Sequence, residues 1–449
     1  MLSARDLGIL GDGQHVETAA IQRAIDALHA EGGGTLVFEP GIFLTGTLFL
    51  KSRVTLYLEN GAVLKGSPDI ADYSTETHYQ RYDSESHMDR CLVFCEGQTD
   101  VAIKGEGTIH GNGEAFVKAR NPSGQRPMLL RFLRSTDITL EGIALEEPAA
   151  WCTAFIECQG IAARGLRITS TTNGNGDGLD FDSCQDVTVS DCRFRTSDDA
   201  ICLQNSVPGT SCRDVTITNC VLTSRWAGIR IGLLSSGDFE DVTVSNCIFH
   251  DMQCSGLKIQ STEGGAIRNM LFQNLVMRNV PRPIFITLNH FHIGTDAPMT
   301  PPRTGTIENL SFDHLRLASD PDFAPGEVPG LVFVGTPGHP IRDIRLTNVS
   351  YDYPVDPGRP RPALADLPEM EDCRPEYFVY PDGIRSDALF LAWVDGFEAE
   401  GLRLRPISRR GARATTEPPA LAASHVGDIV INGRALEDGL VSQADVDAR

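Results

Sequence analysis

A ten-residue phrase recurs along the sequence and constrains the fold more than any other feature. It reads QDVTVSDCRF from Gln185, RDVTITNCVL from Arg213, EDVTVSNCIF from Glu240, RNMLFQNLVM from Arg268, ENLSFDHLRL from Glu308 and RDIRLTNVSY from Arg342. Weaker copies begin at Thr136 and Gln159. The middle copies recur about every 27 or 28 residues. This spacing lies within the range of about 20–50 residues that is typical of solenoids and propellers.

The phrase has the pattern of short strands separated by tight bends. Val, Ile and Thr alternate with other residues, which favours strands, whereas the Asn, Asp and Gly between the runs favour turns. A propeller blade needs about 40–45 residues, so the shorter spacing fits one coil of a β-helix better. The sequence therefore predicts an all-β fold. We expect a single-stranded, right-handed parallel β-helix, a solenoid that forms one domain over residues 1–449.

The beginning of the chain predicts a cap for this solenoid. Residues 1–67 are expected to form the cap and the first coils, because apolar residues recur at helical spacing from Ala20 to Leu28 and three glycines follow. A capping helix covers the unpaired backbone groups of a terminal coil. Two segments without the repeat, 68–90 and 354–387, are interpreted as long excursions that flank a cleft.

Charge and composition narrow the expected partners and location. The net charge of -21 and the pI near 4.9 would repel a phosphate backbone or an anionic bilayer, so neither nucleic acid nor a membrane is an expected partner. No basic and apolar leader follows Met1, which favours a cytoplasmic protein with reduced thiols. Cys192, Cys220 and Cys247 occupy matching places in successive repeats, as expected for small core residues. The oligomeric state, a homo-oligomer included, is left open.

Two acidic motifs carry the candidate chemistry. NGDG from Asn175 brings Asp177, and Asp198 and Asp199 follow about 22 residues later. That distance is close to one coil, so the motifs are expected on neighbouring strands, about 4.8 Å apart. Repulsion within such a cluster is relieved when one carboxyl keeps its proton, and glycoside hydrolysis needs a protonated acid beside an ionised carboxylate. Taken alone, the motifs also fit turn-forming residues or a calcium site, and these two alternatives to catalysis stay open.

The motifs resemble those of glycoside hydrolase family 28, the polygalacturonase family. The similarity rests on NGDGLD, on SDDAICL from Ser197, on the repeat phrase and on the N-terminal DLGILGDG with its following helix. The resemblance implies that Asp198 is the general acid. It implies that Asp177 and Asp199 hold and deprotonate the attacking water and that Asn175 orients this group. It further implies inversion of configuration, with acid and base about 6.5–9.5 Å apart, and no metal or other cofactor.

The same resemblance implies further substrate-binding residues. Trp151 stands where the family carries an aromatic residue beside the sugar, although a solitary Trp is often partly buried packing. Arg81 and Tyr82 resemble a segment that forms a wall of the cleft in bacterial members. These three residues are therefore expected to contact the substrate.

Two departures from the family concern the carboxylate of the sugar. Ala227 replaces the histidine of a Gly-His-Gly motif, and the Arg-Ile-Lys motif reads Lys258-Ile259-Gln260. Lysine does not reproduce the two-pronged geometry with which arginine binds a carboxylate. Lys258 and Arg230 are the cations expected to bind substrate, and solvated surface charges are the alternative. The motifs therefore do not predict whether a uronic acid, rhamnose or a neutral sugar lies beside the scissile bond.

The leading hypothesis is an inverting, metal-independent glycosidase that cleaves a pectin-related or other plant-derived oligosaccharide from a chain end. End-cutting is expected because the long excursions would close the cleft. One alternative is a β-helix polysaccharide lyase or epimerase, which would abstract a proton next to a carboxylate. Another is a non-catalytic carbohydrate-binding scaffold, although such a protein has no need of repelling acids. A screen of pectic and neutral oligosaccharides would distinguish them.

Overall fold

Strands dominate the structure, a computed structural model that describes residues 1–77, 87–117, 124–290, 303–320, 330–355, 363–364, 387–407, 420–442 and 446. The strands of the first part are β1 (Leu2–Ser3), β2 (Asp12–Val16), β3 (Gly34–Phe38), β4 (Gly41–Thr45), β5 (Leu48–Phe49), β6 (Val54–Leu58), β7 (Ala62–Gly66), β8 (Cys91–Glu96), β9 (Thr99–Gly105), β10 (Thr108–His110), β11 (Met128–Leu133), β12 (Thr136–Glu141), β13 (Ala144–Glu146), β14 (Thr153–Ile156), β15 (Gln159–Arg164), β16 (Arg167–Ser170), β17 (Leu179–Asp182), β18 (Gln185–Ser190) and β19 (Arg193–Thr196). They are followed by β20 (Ile201–Asn205), β21 (Ser211–Thr218), β22 (Val221–Ser224), β23 (Ala227–Ser235), β24 (Asp238–Ser245), β25 (Ile248–His250), β26 (Ser255–Ser261), β27 (Ala266–Arg278), β28 (Arg282–Leu288), β29 (Thr306–Ala318), β30 (Leu331–Val334), β31 (Ile341–Thr347), β32 (Ser350–Pro354), β33 (Leu389–Glu400), β34 (Arg403–Ile407), β35 (Leu421–Ile431), β36 (Arg434–Leu436) and β37 (Gly439–Val441).

Most strands pair in parallel with the equivalent strand of a neighbouring coil, whereas β36 and β37 pair antiparallel with β35. One sheet contains β8, β11, β14 and β17, a second contains β9, β12, β15 and β18, and a third contains β7, β10, β13, β16 and β19. Farther along the chain, β23, β26, β28, β30, β33 and β35 form another parallel series. Three strands per coil with parallel pairing define a parallel β-helix, and this part of the sequence prediction is confirmed.

The predicted capping helix is also present. Helix α1 spans Thr18–Ala30, and short 3₁₀ turns lie at Arg5–Leu7, Ile70–Asp72, Thr75–Thr77 and Gly113–Phe116. Ile21, Ala24, Ile25 and Leu28 form the buried stripe of α1, which packs against β3 and β5. Their spacing of three or four residues places them on one face of the helix.

The repeat phrase corresponds to a strand, a tight turn and the beginning of the next strand, as in β18 and β19. Its polar second residue adopts the left-handed conformation, for example at Asp186 (φ 58°) and Asp214 (φ 58°). Asp and Asn tolerate this conformation better than most residues, which explains why the phrase carries them there. The apolar residues that follow point into the coil, where Val187 lies opposite Val215. Alternation and turn chemistry therefore act together in each copy.

The described residues form two compact units. Unit 1 contains those within 1–202 and 213–220, and unit 2 contains those within 203–212 and 221–446. The expectation of one domain over 1–449 stays a prediction. The core of unit 1 includes stacked rings of Phe132, Phe155 and Phe181, with centroids 4.9 and 5.1 Å apart.

The described parts of the chain bear on three further expectations. Of the excursions, only 68–77, 87–90, 354–355, 363–364 and 387 are described, so Arg81 and Tyr82 lie outside the described residues. Eleven cysteines are described, all of them are buried, and none of these eleven forms a disulfide. Among the described residues, no helix is sufficiently long and apolar to cross a membrane.

Candidate active site

The turn between β16 and β17 packs closely against the turn between β19 and β20. Asn175 adopts a left-handed φ of 53°, which asparagine tolerates. A Cβ on Gly176 would lie 2.4 Å from the Oγ of Ser197, and a Cβ on Gly178 would lie 2.2 Å from the carbonyl oxygen of Ala200. Both distances are far shorter than a van der Waals contact. The two glycines of the NGDG motif are therefore required by the close approach of the turns.

Backbone hydrogen bonds hold the two acidic motifs together. The Gly178 N–H donates to the Asp199 carbonyl oxygen at 2.9 Å, and the Asp198 N–H donates to the Gly176 carbonyl oxygen at 3.4 Å. The Asp199 N–H donates to Oδ1 of Asp198 at 3.0 Å. This last bond restrains the side chain of Asp198. The structure thus brings together the motifs that the one-coil spacing places on neighbouring strands.

Three carboxylates converge at this point of unit 1. One oxygen from each of Asp177, Asp198 and Asp199 lies within 4.8 Å of the others. Asp177 and Asp199 are buried, with 5% and 2% exposure, whereas Asp198 is half-buried. Carboxylates this close repel one another, so the cluster favours retention of a proton or binding of a cation. Among the residues that the structure describes, these three form the group that could hold a metal ion, and calcium would require about 6–8 oxygen ligands.

The spacing of these carboxylates bears on the stereochemistry of the reaction. An inverting enzyme commonly holds its acid and base about 6.5–9.5 Å apart, and a retaining enzyme about 5–5.5 Å apart. The closest oxygens of Asp177, Asp198 and Asp199 lie within 4.8 Å. The spacing alone does not indicate inversion.

More acidic residues surround the cluster. Asp180 and Asp182 are buried on β17, in register with Ala154 and Ile156 of β14. Burial raises the pKa of the Cys152 thiol well above its ordinary value, and the charges of Asp180, Glu147 and Asp177 raise it further. The negative potential therefore extends beyond the three central aspartates.

Arg126, which the sequence motifs do not reveal, contacts the turn that carries Asp177. Its Nη1 donates to the Gly174 carbonyl oxygen at 2.6 Å, and its Nη2 donates to Oδ1 of Asn175 at 2.9 Å. Nη2 also lies 2.7 Å from Nε2 of His87. Arg126 lies outside the repeats, in GQRPM, so the repeat pattern has no means of relating it to the motifs.

Burial and neighbouring charges change the pKa values of Arg126 and of His87 beside it. Partial burial lowers the pKa of the Arg126 guanidinium, and the charge of Asp177 opposes that change. Partial burial also lowers the pKa of His87, and the neighbouring charge of Arg126 lowers it further. A neutral His87 is therefore favoured, with Nε2 able to accept from Arg126.

Trp151 occupies an apolar cluster of unit 1. It is 9% exposed and packs with Met88, Cys91, Met128 and Ala154, among others. Packing accounts for this Trp without a ligand. A contact between Trp151 and substrate stays a prediction, as does any role of Arg81 and Tyr82.

The two predicted cations of unit 2 lie side by side. Arg230 on β23 and Lys258 on β26 are in direct register and are 4% and 1% exposed. The Lys258 Nζ lies 4.4 Å from the centroid of the Trp226 ring, a cation–π arrangement, and 3.9 Å from the Cys254 Sγ. Burial of this degree is unlike a solvated surface charge. The paired burial supports a specific role for both residues.

The positions that depart from the family are also in unit 2. Gln260 is fully buried; it accepts a hydrogen bond from Nη2 of Arg230 at 3.2 Å and donates to Oγ1 of Thr287 at 3.0 Å. Ala227 is buried and lies opposite Ser255 of β26. Gln260 thus connects Arg230 to the next strand, where the family has a lysine.

The sequence matches a known protein family. The profile of "Glycosyl hydrolases family 28" covers residues 62–353, well over half of the chain and including both acidic motifs. The chain belongs to glycosyl hydrolase family 28. The expected family is thereby confirmed.

Two curated relatives of this family-28 chain have named activities. A "Probable polygalacturonase" of Vitis vinifera is 27% identical over 369 residues, which are 77% of this chain and 73% of that protein. An "Exo-poly-alpha-D-galacturonosidase" of Dickeya chrysanthemi is 24% identical over 347 residues, 65% of this chain and 57% of that protein. Each alignment leaves a substantial part of the relative unmatched.

Solved structures confirm the fold of this family-28 chain. The family 28 exopolygalacturonase of Yersinia enterocolitica superposes with a TM-score of 0.74 and 20% identity, covering 97% of this chain and 79% of that one. The A-module of the mannuronan C-5 epimerase AlgE4 of Azotobacter vinelandii superposes with a TM-score of 0.55 and 13% identity, covering 98% of this chain and 99% of that one. The fold is thus shared with an enzyme of a different chemistry.

Proposed function

We propose that this family-28 chain is a glycosidase that hydrolyses O-glycosidic bonds of a pectin-related or other plant-derived oligosaccharide. The observation that carries the proposal is the convergence of Asp177, Asp198 and Asp199, with one oxygen of each within 4.8 Å of the others. Membership of the family adds the chemistry to which such a cluster is suited. The reaction is proposed to be inverting, metal-independent and directed at a chain end.

In the proposed mechanism, Asp198 donates its proton to the glycosidic oxygen as the bond from that oxygen to the anomeric carbon breaks. A water molecule attacks the anomeric carbon from the opposite face, and Asp177 and Asp199 accept its proton. Asp198 is the more exposed of the three, which suits the group that must reach the leaving oxygen. Before the next turnover, Asp198 takes up a proton from solvent and the base releases to solvent the proton that it accepted from water.

The proposed substrate class rests on the activities for which the relatives are named. Two residues of unit 2 that differ from the family motifs widen it. The Dickeya relative is named for exo-action on polygalacturonate. In this chain, Ala227 and Gln260 stand at two positions where the family grips the sugar carboxylate, and Gln260 already bonds Arg230 and Thr287. We propose an exo-acting enzyme for which a uronic acid beside the scissile bond is not required.

The fold is also compatible with a lyase, an epimerase or a non-catalytic scaffold. The shared fold of the AlgE4 epimerase module shows that a parallel β-helix supports chemistry other than hydrolysis. A lyase would release a product with a double bond that absorbs in the ultraviolet, and an epimerase would release no reducing end. A non-catalytic scaffold would bind sugars without turnover.

The decisive experiment is a screen of pectic and neutral oligosaccharides with the wild-type protein and Asp198→Asn in parallel. We expect reducing ends from at least one substrate and a loss of about 100-fold or more in kcat for the variant. Undiminished turnover by Asp198→Asn, or an ultraviolet-absorbing product, would refute the proposal. Release of only monomers or dimers at early times would identify exo-action.

Two further measurements test the finer parts of the proposal. Proton NMR of the first product shows directly whether the anomeric configuration is inverted, which the carboxylate spacing leaves undecided. Turnover after exhaustive treatment with EDTA is expected to equal that of the untreated enzyme. Loss of turnover that calcium restores would instead assign the three aspartates to a metal site.

A further inference from the structure

Arg126 fixes the orientation of the Asn175 amide. A guanidinium carries donors and no acceptor, so it selects the amide oxygen, and Nη2 is indeed 2.9 Å from Oδ1. The NH₂ group of Asn175 must then point away from Arg126 as a donor. Because Nη1 also binds the carbonyl oxygen of Gly174, the planar guanidinium holds two successive residues of the turn.

Arg126 is also a cation placed beside an acidic cluster. Asp177 faces Asp198 and Asp199, and its charge acts on Arg126 in turn. The other titratable groups nearby are His87, which is bound to Arg126, and Cys152, on whose thiol the charges of Asp180, Glu147 and Asp177 act. A fixed positive charge on one side of the cluster lowers the energy of an anion there relative to the other members.

We infer that Arg126 is a positioning residue of the active site: it orients Asn175 and keeps Asp177 ionised while another member of the cluster carries the proton. This inference rests on the proposed glycosidase function. Asp177 then acts as a base, and the proton needed by the leaving group stays on Asp198. Arg126, which lies outside both acidic motifs, thereby favours Asp177 as the base and Asp198 as the acid.

The test compares Arg126→Gln, Arg126→Lys and the control Arg167→Gln. Arg167 is an exposed arginine of the same unit whose side chain binds the carbonyl oxygens of Gly142 and Glu106. For Arg126→Gln, we expect the acidic limb of the kcat/KM profile to move up by about one pH unit or more. Arg126→Lys should restore the limb but raise KM, because it keeps the charge and loses the two-pronged geometry. Arg167→Gln should match wild type.

A second readout does not depend on turnover. Carbon-13 NMR of the aspartate carboxyls, assigned with Asp177→Asn, measures the titration of Asp177 directly in folded protein. We expect Asp177 to titrate at higher pH in Arg126→Gln than in wild type. An unchanged titration with an unchanged pH profile would overturn the inference. A shifted titration in a protein that cleaves no sugar would overturn only the glycosidase proposal.

A groove on a different sheet of unit 2 is lined by arginines. Arg316 of β29 lies opposite Ser350 of β32, which lies opposite Arg403 of β34. The small serine leaves a gap between the two longer side chains, which start about 10 Å apart because they are two strands apart. The groove has a volume of about 470 Å³ and is also lined by His314, Asn348 and Arg405, among others.

The positive charge of this groove is only partly compensated. Arg405 forms an ion pair with Asp352, with Nε 2.5 Å from Oδ1. Arg316 and Arg403 are exposed, and neither has an ion-pair partner among the residues that the structure describes. Arginine binds carboxylates through two parallel hydrogen bonds, so the pair suits two carboxylates of one extended ligand.

We propose that this groove binds an anionic oligosaccharide through the carboxylates of two uronic acid residues. No residue of the groove belongs to the carboxylate cluster. A sugar ligand is favoured over nucleic acid because the chain belongs to a glycosyl hydrolase family and its net negative charge repels a phosphate backbone. The ligand would lie across the strands, from Arg316 to Arg403.

Affinity electrophoresis in gels with polygalacturonate tests this groove, with every protein carrying Asp198→Asn to prevent hydrolysis. The double variant Arg316→Gln/Arg403→Gln should bind at least about 10-fold more weakly than the parent. Arg345→Gln is the control, because this exposed arginine is paired with Glu398. Equal binding by the double variant and the control would refute the proposal. An equal loss with fully methyl-esterified polymer would also refute it, since that polymer has no carboxylates.

Discussion

At the scale of the residue, the active-site turn depends on backbone requirements that are visible in the sequence as NGDG. Asn175 supplies the left-handed conformation, and Gly176 and Gly178 allow the neighbouring turn to approach. These needs are local, so the motif is recognisable in the amino-acid sequence alone. The contact with Arg126 is not, because it joins segments 49 residues apart through a side chain whose direction depends on the folded coils.

The substitution Gly178→Ala tests the close approach. A Cβ there would lie 2.2 Å from the Ala200 carbonyl oxygen, so we expect the free energy of unfolding to fall by about 1–3 kcal/mol. Gly174→Ala is the matched control in the same turn, because a Cβ at Gly174 meets nothing within 4 Å. Chemical denaturation measures both. Equal stabilities would show that the two turns separate at little cost.

A pH dependence follows from His87. Partial burial and the charge of Arg126 lower its pKa from 6.5, so the folded state favours neutral His87. This contribution to stability is present above the unfolded pKa and is lost as the pH falls through the lower pKa of the folded state. We expect wild type to lose stability faster below pH 6.5 than His87→Gln, whose amide still accepts from Arg126. Parallel curves of unfolding free energy against pH would contradict this expectation.

Within a strand, the alternation of apolar and other residues predicts which side chains enter the core. It does not predict whether the remaining side chains are exposed or buried. Arg131 of β11 is in register with Phe94 and Ala154 and alternates with core residues, so the pattern predicts an exposed side chain. It is 1% exposed instead, because it donates to the carbonyl oxygens of Thr77 and Met88 at 2.8 and 3.2 Å. Arg131 thereby binds both described ends of the first excursion, a contact that strand periodicity does not encode.

The stacked phenylalanines of unit 1 are expected to contribute strongly to the free energy of unfolding. Phe155 lies between Phe132 and Phe181, with ring centroids 4.9 and 5.1 Å away. Phe155→Ala would remove the middle ring of this stack and leave a cavity between the other two rings. We therefore expect the free energy of unfolding to fall by about 3–5 kcal/mol. Phe155→Leu keeps most of the volume and should cost less than half as much. If the two variants are equally stable, the coils repack around the gap.

At the scale of the whole molecule, the thiols report on the intact coils. Of the 12 cysteines in the sequence, the structure describes 11, and these 11 are buried thiols outside any disulfide. Burial raises the pKa of Cys91 to about 12, which suppresses the reactive thiolate. We expect these thiols to react slowly with a thiol reagent in native protein, and all 12 to react after unfolding without a reductant. A shortfall after unfolding would reveal a disulfide.

The sequence by itself determined the parallel β-helix, the capping helix, the family and the neighbouring positions of Asp177, Asp198 and Asp199. Each of these follows from a local pattern repeated once per coil, and stacking converts equal spacing along the chain into proximity in space. Only the folded structure fixes the approach of the three carboxylate oxygens to within 4.8 Å, the burial of Trp151, the pairing of Gln260 with Arg230 and the contact of Arg126 with Asn175. These depend on side chains from segments outside the repeat or on different coils, whose directions become defined only once the coils have packed.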